Sequence, residues 1–505
     1  MKPSEKLAGS LILLRKLQEK NACAIQSKDL SRTHRERLTA NGFLEEVIKG
    51  WYIPVRSDEK QGDSTAWYAS FWNFCASYLR TRLGEEWCLS PEQSLLIHAE
   101  NWTVPRQLLV RSPKASNKCM ELPHQTSLFQ VRYKMPKPQD IEVTQGLHLY
   151  SVASALIYCS PQFFAQYPID ARAILAMVKN ASELLHYLLD EGHSSIAGRL
   201  CGAFKNIGRD RIADDIKKTM ISAGYKVLES DPFITDAPKM FFAQDKPLYR
   251  NRLWAMWQNM RESVISNFPT SSQKKWNIKY YLKQVEETYA NDAYHSLSIE
   301  GYQVSPELIE KVRSGHWSPE TIEQDRMQRN ALAARGYWQA FQSVEKSLEL
   351  VLNGENPGKV VIEAHHDWYR EMFQPSVIAG LLKPTDLAGY RNNPVFIRQS
   401  KHVPPRAQIV GELMAEFFEL LSKEENPAVR VILGHFFFVY IHPYPDGNGR
   451  MGRFLMNIML AAGNYPWTII PVGKRDDYME ALEQASVKQD IVPFCKFVAA
   501  CIGLK

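Results

Sequence analysis

The feature that most constrains this 505-residue chain is an apolar run, a short loop of proline, aspartate, glycine and asparagine, and a second run with helical character. Phe436-Phe437-Phe438-Val439-Tyr440-Ile441 reads as a buried helix that ends near His442-Pro443, because proline disfavours helix at the residue before it. Pro445-Asp446-Gly447 reads as a turn, and Asn448-Gly449-Arg450 opens a helix through Leu460. Backbone N–H groups at such a start have no internal partners, and with the helix dipole they form an anion site. Gly447 and Gly449 let an anion approach the backbone. Arg450 and Arg453, three apart, share one helix face and offer two planar donor forks. Asp446 is a hard oxygen ligand suited to Mg²⁺, which takes one or two carboxylates plus phosphate oxygens. His442 can accept a proton near neutral pH. Each residue alone has an ordinary structural explanation. Their joint spacing suits the handling of a nucleoside triphosphate.

Composition excludes several other classes. With 45% apolar and 23% charged residues the chain is typical of folded soluble proteins, and a net charge of +6 is too mild to argue for nucleic acid. The eight cysteines form no CxxC pair, which favours buried free thiols over a disulfide framework or a zinc site. No run of about 18 apolar residues suggests a spanning helix. Leu11–Leu14 is too short for a signal core. The expectation is a cytoplasmic protein without membrane contact.

At the N-terminus, Leu7, Leu11, Leu14 and Leu17 have helical spacing. Ser31 is a plausible cap for a second helix that Asn41-Gly42 closes. Phe43–Ile48 and Trp51–Pro54 read as a two-stranded wing around Lys49-Gly50. This predicts a winged helix-turn-helix over 1–56, with Arg32, His34, Arg35 and Arg37 on the side where such folds read DNA. Strands are expected at Gln107–Val110, Ser127–Tyr133 and Ile141–Tyr150, and helices over Ala171–Leu189 and Ser195–Ala203. Asp231–Tyr249 holds prolines and aromatics and reads as a linker. From Asn251 onward the pattern is nearly all helical, apart from an extended piece near 388–402 that reads as a hairpin.

The central motif resembles the signature of the Fic family, H-x-F-x-[D/E]-G-N-G-R-x-x-R, with Tyr444 where Phe is usual. The likeness extends over 280–500. Residues 1–56, and more loosely 57–215, resemble the AbiEi-type antitoxin and regulator family, chiefly through Lys49–Val55 (KGWYIPV), Cys88–Pro113 and Gly146–Pro161. The first resemblance implies transfer of AMP from ATP to a Ser, Thr or Tyr hydroxyl of a target protein. His442 would be the base, Asp446 would hold Mg²⁺ (or Mn²⁺), and Gly447, Asn448, Gly449, Arg450 and Arg453 would cradle the phosphates. It also makes Val395, Phe396, Ile397 and Arg398 part of a β-hairpin flap that walls the nucleotide and holds the target. Tyr478, Met479 and Ser486 would line the base pocket. The second resemblance implies binding of DNA through 1–56. The alternatives are a regulator whose Fic half senses nucleotide, and a donor that delivers UMP or another phosphate-linked group.

Ser296-Leu297-Ser298-Ile299-Glu300-Gly301 matches the family's inhibitory pattern, [S/T]-x-x-x-E-[G/N], placed before the core. Ser296 and Glu300, four apart, share a helix face, and Gly301 ends the helix. A carboxylate on Arg453 would take the donor that a γ-phosphate needs. At ~4 Å and an effective dielectric near ~20, that attraction is of order 4 kcal/mol before desolvation. In relatives the same Glu can orient a water for AMP removal, and oligomerisation controls this helix, so a homodimer is a further expectation. The predicted organisation is mainly α: a winged helix at 1–56, an α+β and helical region at 57–230, a linker at 231–250, a helical segment at 251–360 with the inhibitory helix near 286–301, and an all-α Fic core at 361–505.

Overall fold

The computed structural model describes residues 3–19, 24–55, 63–190, 192–233, 247–271, 276–315 and 325–503. The boundary expected at 56, Cys23 and the middle of the expected linker lie outside these residues. The chain forms two compact units. One comprises Met1–Arg252 with Phe396–Val403; the other comprises Leu253–Val395 with Pro404–Lys505.

The first unit begins with α1 (Pro3–Glu19), β1 (Ile25–Gln26), α2 (Arg32–Ala40), β2 (Leu44–Ile48) and β3 (Trp51–Pro54). Ser31 caps α2 by accepting from His34 N–H, and Gly42 closes it in the left-handed region at φ 71°. The strands make an antiparallel sheet in the order β1–β3–β2, and Leu14, Ile25, Leu30, Leu38 and Leu44 form a small core against it. A larger core gathers around α3 (Thr65–Leu83), with Trp67, Phe71, Phe74 and Leu79 buried. Val47, Trp51 and Val55 pack on that second core, which joins residues 1–55 to the rest of the first unit.

The expected strands appear as β5 (Gln107–Ser112), β7 (Thr126–Arg132) and a hairpin of β8 (Ile141–Thr144) and β9 (Leu147–Tyr150), with β4 (Cys88–Leu89) and β6 (Lys118–Leu122) in addition. The four-stranded sheet has the order β4–β5–β7–β6, with β5 and β7 parallel. The single helix expected over Ala171–Leu189 is two, Pro168–Met177 and Ser182–Asp190. Between them Val178 is extended, and Arg209 donates to the carbonyls of Ala176 (2.8 Å) and Val178 (3.3 Å), which satisfies the end of the first helix.

The second unit is helical. It contains α4 (Ile278–Ile299), α5 (Asp325–Leu352), α6 (Pro357–Ile378), α7 (Ala407–Lys423), α8 (Pro427–Ile441), α9 (Asn448–Ala462), α10 (Arg475–Lys488) and α11 (Val492–Ile502). α8 and α9 are buried almost throughout, as an apolar run on both sides of a loop requires. Trp257 donates to Glu424 at 3.4 Å and Arg261 to the same carboxylate at 2.9 Å, which ties the unit's first helix to the end of α7. The expected β-hairpin over 388–402 has no strand pairing; those residues are extended and irregular. Pro394, Pro404 and Pro405 lack the N–H groups a ladder needs. The described cysteines are all free, and no described helix is long and apolar enough to cross a membrane.

α5 and α6 touch closely at Gly336, where a Cβ would collide with the backbone carbonyl of Met372. Gly336→Ala is therefore expected to destabilise the protein by about 1–3 kcal/mol, read as a lower midpoint in thermal or urea unfolding.

Candidate active site

The loop between α8 and α9 is pinned before any ligand enters. His442 ends α8 in the left-handed conformation (φ 54°, ψ 60°), its N–H still donating to Phe438 O at 3.0 Å. Asn448 then clamps the loop on itself. Its Oδ1 accepts from Tyr444 N–H at 2.9 Å, and its Nδ2 donates to Tyr444 O at 2.8 Å. Tyr444 is fully buried, stacks on Tyr369 with centroids 3.9 Å apart, and has its hydroxyl 2.9 Å from His366 Nδ1. The hydroxyl that distinguishes it from phenylalanine thus has a partner.

Arg391 braces the same loop from outside. It is 3% exposed, and its guanidinium donates to the carbonyls of His442 (2.7 Å), Asn393 (3.2 Å) and Pro405 (2.5 Å). Its own N–H donates to Pro443 O at 2.9 Å. Burial lowers its pKa to about 10, so it stays charged at neutral pH. Sequence reasoning placed Arg391 in a flap and missed this role, because the His442 and Pro443 carbonyls it serves lie about fifty residues away in the chain.

His442 is held as a neutral imidazole. Its Nδ1 lies 3.1 Å from Val439 O, so the proton sits on Nδ1 and Nε2 keeps its lone pair. Burial lowers its pKa to about 4, against the opposing pull of the Val439 hydrogen bond. Five residues on, Gly447 (φ 80°) caps α9, and its N–H donates to Asp446 Oδ1 at 2.6 Å. The Asp446 side chain is 64% exposed, and its Oδ2 lies 3.7 Å from Arg450. Arg450 and Arg453 are both buried, and each keeps one buried nitrogen without a partner, Nε in Arg450 and Nη1 in Arg453. Unsatisfied buried donors at a helix start are what an anionic ligand would complete.

Glu300 occupies part of this place. It caps α4, and its Oε1 accepts from Arg453 Nη2 at 2.8 Å. A Cβ on Gly449 would collide with the same oxygen, so the carboxylate sits against the backbone of the nest. Ser296, one turn earlier, accepts from Arg453 Nε through Oγ (2.9 Å) and from Nη2 through its carbonyl (3.0 Å). Burial works against the charge of Arg453, yet Glu300 holds its pKa above the ordinary value. Another turn back, Asp292 accepts from Tyr337 at 2.7 Å, and burial raises its pKa to about 6. Neither partner was foreseen from sequence.

The other candidate residues lie on α10, along 395–398 and on α2. Tyr478 is buried on α10 with its hydroxyl 2.7 Å from His435 Nε2; Met479 and Ser486 are half-buried on the same helix. Val395 lies in the helical unit, whereas Phe396, Ile397 and Arg398 belong to the first unit, where Arg398 pairs with Asp63 at 3.3 Å. Of the four residues proposed to read DNA, three serve the first unit itself. Arg35 donates to Leu30 O at 3.0 Å, Arg37 to Lys6 O at 3.0 Å and Ser10 Oγ at 2.9 Å, and His34 Nδ1 meets Ser10 Oγ at 2.9 Å. Arg32 is exposed and paired with Glu36 at 2.6 Å.

Residues 359–460 match the Fic/DOC family, so the chain carries a Fic domain. Among curated proteins it is similar to the protein adenylyltransferase Fic of Nematostella vectensis, 41% identical over 128 residues, which are 25% of this chain and 29% of that protein. It is also similar to the protein of the same name from Drosophila virilis, 30% identical over 222 residues, 43% of this chain and 41% of that one. The chain thus spans less than half the length of these relatives. Among solved structures, Fic-1 from C. elegans aligns over 66% of this chain and 88% of its own, with 18% identity and a TM-score of 0.37.

The brace formed by Arg391 leads to a test. Arg391→Lys keeps the charge but cannot serve several carbonyls at once. It should destabilise the helical unit by about 1–3 kcal/mol, measured by urea unfolding.

Proposed function

We propose that this protein is an autoinhibited protein adenylyltransferase that moves AMP from ATP to a hydroxyl side chain of a target protein. The observation that carries the reading is the Glu300 carboxylate on Arg453, 2.8 Å away and lying against the backbone of Gly449, where a phosphate would otherwise sit. The relatives named protein adenylyltransferase Fic support the chemistry.

In this reading His442 Nε2 takes the proton of the target hydroxyl as its oxygen attacks the α-phosphorus. The bond to the β-phosphate oxygen breaks, and pyrophosphate leaves. The N–H groups after Gly447, with Arg450 and Arg453, hold the phosphates, so the barrier is lowered by positioning and charge neutralisation. The site suits Mg²⁺ or Mn²⁺. Asp446 offers an exposed carboxylate, which suits an ion that takes its other ligands from phosphate and water. Such an ion would add charge neutralisation at the phosphates. The target segment docks along 395–398, where Phe396 offers an exposed apolar surface. Glu300 also orients a water for removal of AMP from a modified target.

Glu300→Gly should raise self-labelling from α-labelled ATP by at least about tenfold, since a buried charge pair that blocks a ligand is worth ~1.4 kcal/mol or more. Adding His442→Ala should abolish it; unchanged labelling in either variant would sink the mechanism. The pKa of about 4 at His442 has a kinetic sign as well. A free imidazole is half-protonated near pH ~6.5. In the Glu300→Gly variant kcat/KM should instead stay flat between pH ~8 and ~6, because the base remains neutral there. A fall centred near pH ~6.5 would contradict the buried, neutral base.

A further inference from the structure

Helix α4 ends in a turn that fixes more than Glu300. Gly301, at φ 89°, donates its N–H to Ser298 O at 3.0 Å, and Tyr302 donates its N–H to Leu297 O at 3.1 Å. This pair of bonds is a Schellman motif. It ties Tyr302 to the same helix end that projects Glu300.

The two residues reach different arginines. Glu300 meets Arg453, as described. Tyr302 meets Arg450, whose guanidinium carbon lies 5.3 Å from the centroid of the Tyr302 ring and 5.0 Å from that of Phe373. Arg450 is 1% exposed, its Nε has no hydrogen-bond partner, and Asp446 stands 3.7 Å away on an exposed side chain. A buried guanidinium with so few polar partners depends on the aromatic faces over which it lies. Those faces leave its N–H edge for a ligand.

We propose that Tyr302 is a positioning residue for the nucleotide. It holds the donor edge of Arg450 toward the phosphate nest, so the end of α4 stays in place in the active state and inhibition is lifted by movement of the Glu300 side chain alone. The inference rests on the transferase reading above. Withdrawal of the whole helix end would strip Arg450 of one ring while freeing Arg453, and so would disable one phosphate arginine to release the other. It would also break the buried Asp292–Tyr337 bond and both bonds from Arg453 to Ser296. Rotation of the Glu300 side chain, already 26% exposed, breaks only the contact with Arg453 and leaves the Schellman turn intact.

The test uses the full chain with Glu300→Gly as parent, compared with Glu300→Gly/Tyr302→Ala and Glu300→Gly/Tyr302→Phe. Calorimetry gives the Kd for ATP with Mg²⁺, and labelling gives KM and kcat. The Ala variant should raise Kd and KM for ATP about tenfold, the scale of a desolvated cation–π contact. The Phe variant keeps the ring face and should restore both to within about twofold of the parent. Hydrogen exchange over 292–302 should stay as slow with ATP bound to the parent as it is in the wild-type protein. An Ala variant that binds ATP as tightly as the parent, a Phe variant as impaired as Ala, or loss of protection over 292–302 on ATP binding would each overturn the proposal. A parent that binds ATP without transferring AMP would overturn only the transferase reading; a parent that binds no ATP would overturn both.

Discussion

The helical unit depends on the buried guanidinium of Arg453. It sits at the start of α9, where the helix dipole already favours negative charge, so its own positive charge adds to a site that calls for an anion. Within the chain that anion is Glu300, supported by Ser296 on the same face of α4. Helix α4 is thereby fastened to α9. The contact helps hold the unit together, and a ligand taking Arg453 from Glu300 must replace it with one of comparable strength. A triphosphate with several charged oxygens is suited to do so.

The layout around Arg453 separates the fixed parts from the movable one. Asn448 and Arg391 hold the loop through backbone groups, and Tyr444 fills the space beneath it. His442 has its tautomer set by a carbonyl of its own helix. These contacts fix the His442 loop and the start of α9 within the chain itself. Glu300 is different: its side chain is partly exposed and hangs from a helix cap. Moving that side chain off Arg453 requires no repacking of the core.

Much of this was legible in the sequence, and the reason is local. The residues from His442 to Arg453 act within one loop and one turn of helix, so spacing along the chain maps onto spacing in space. Ser296 and Glu300 were legible because an i, i+4 pair on a helix shares a face. What escaped was non-local. Arg391 serves carbonyls about fifty residues away, Asp292 pairs with Tyr337 across two helices, and Phe373 reaches Arg450 from α6. No period or spacing reports such contacts. The expected hairpin over 388–402 did not form for a physical reason, since Pro394 stands within the segment, Pro404 and Pro405 follow it, and none of them can donate to a ladder. The α2 arginines show the same non-locality. Their spacing on a helix suggested an outward face, and Arg35 and Arg37 also donate to loop and helix carbonyls within their own unit.

The segment Phe396–Val403 shows how the two units share one piece of chain. It leaves the helical unit after Val395 and returns at Pro404, yet its contacts are with the first unit. Gln399 N–H donates to Thr65 Oγ1 at 3.0 Å, Val104 N–H to Lys401 O at 2.9 Å, and Arg398 pairs with Asp63. The Asp63 side chain is only 5% exposed, and although burial alone would raise its pKa, Thr65 and Arg398 hold it below the usual carboxylate range. The ion pair is therefore a charged anchor rather than a chance surface contact. Just before the segment, Arg391 is locked onto the carbonyls of the His442 loop. Residues 396–398 thus take their conformation from contacts within the first unit.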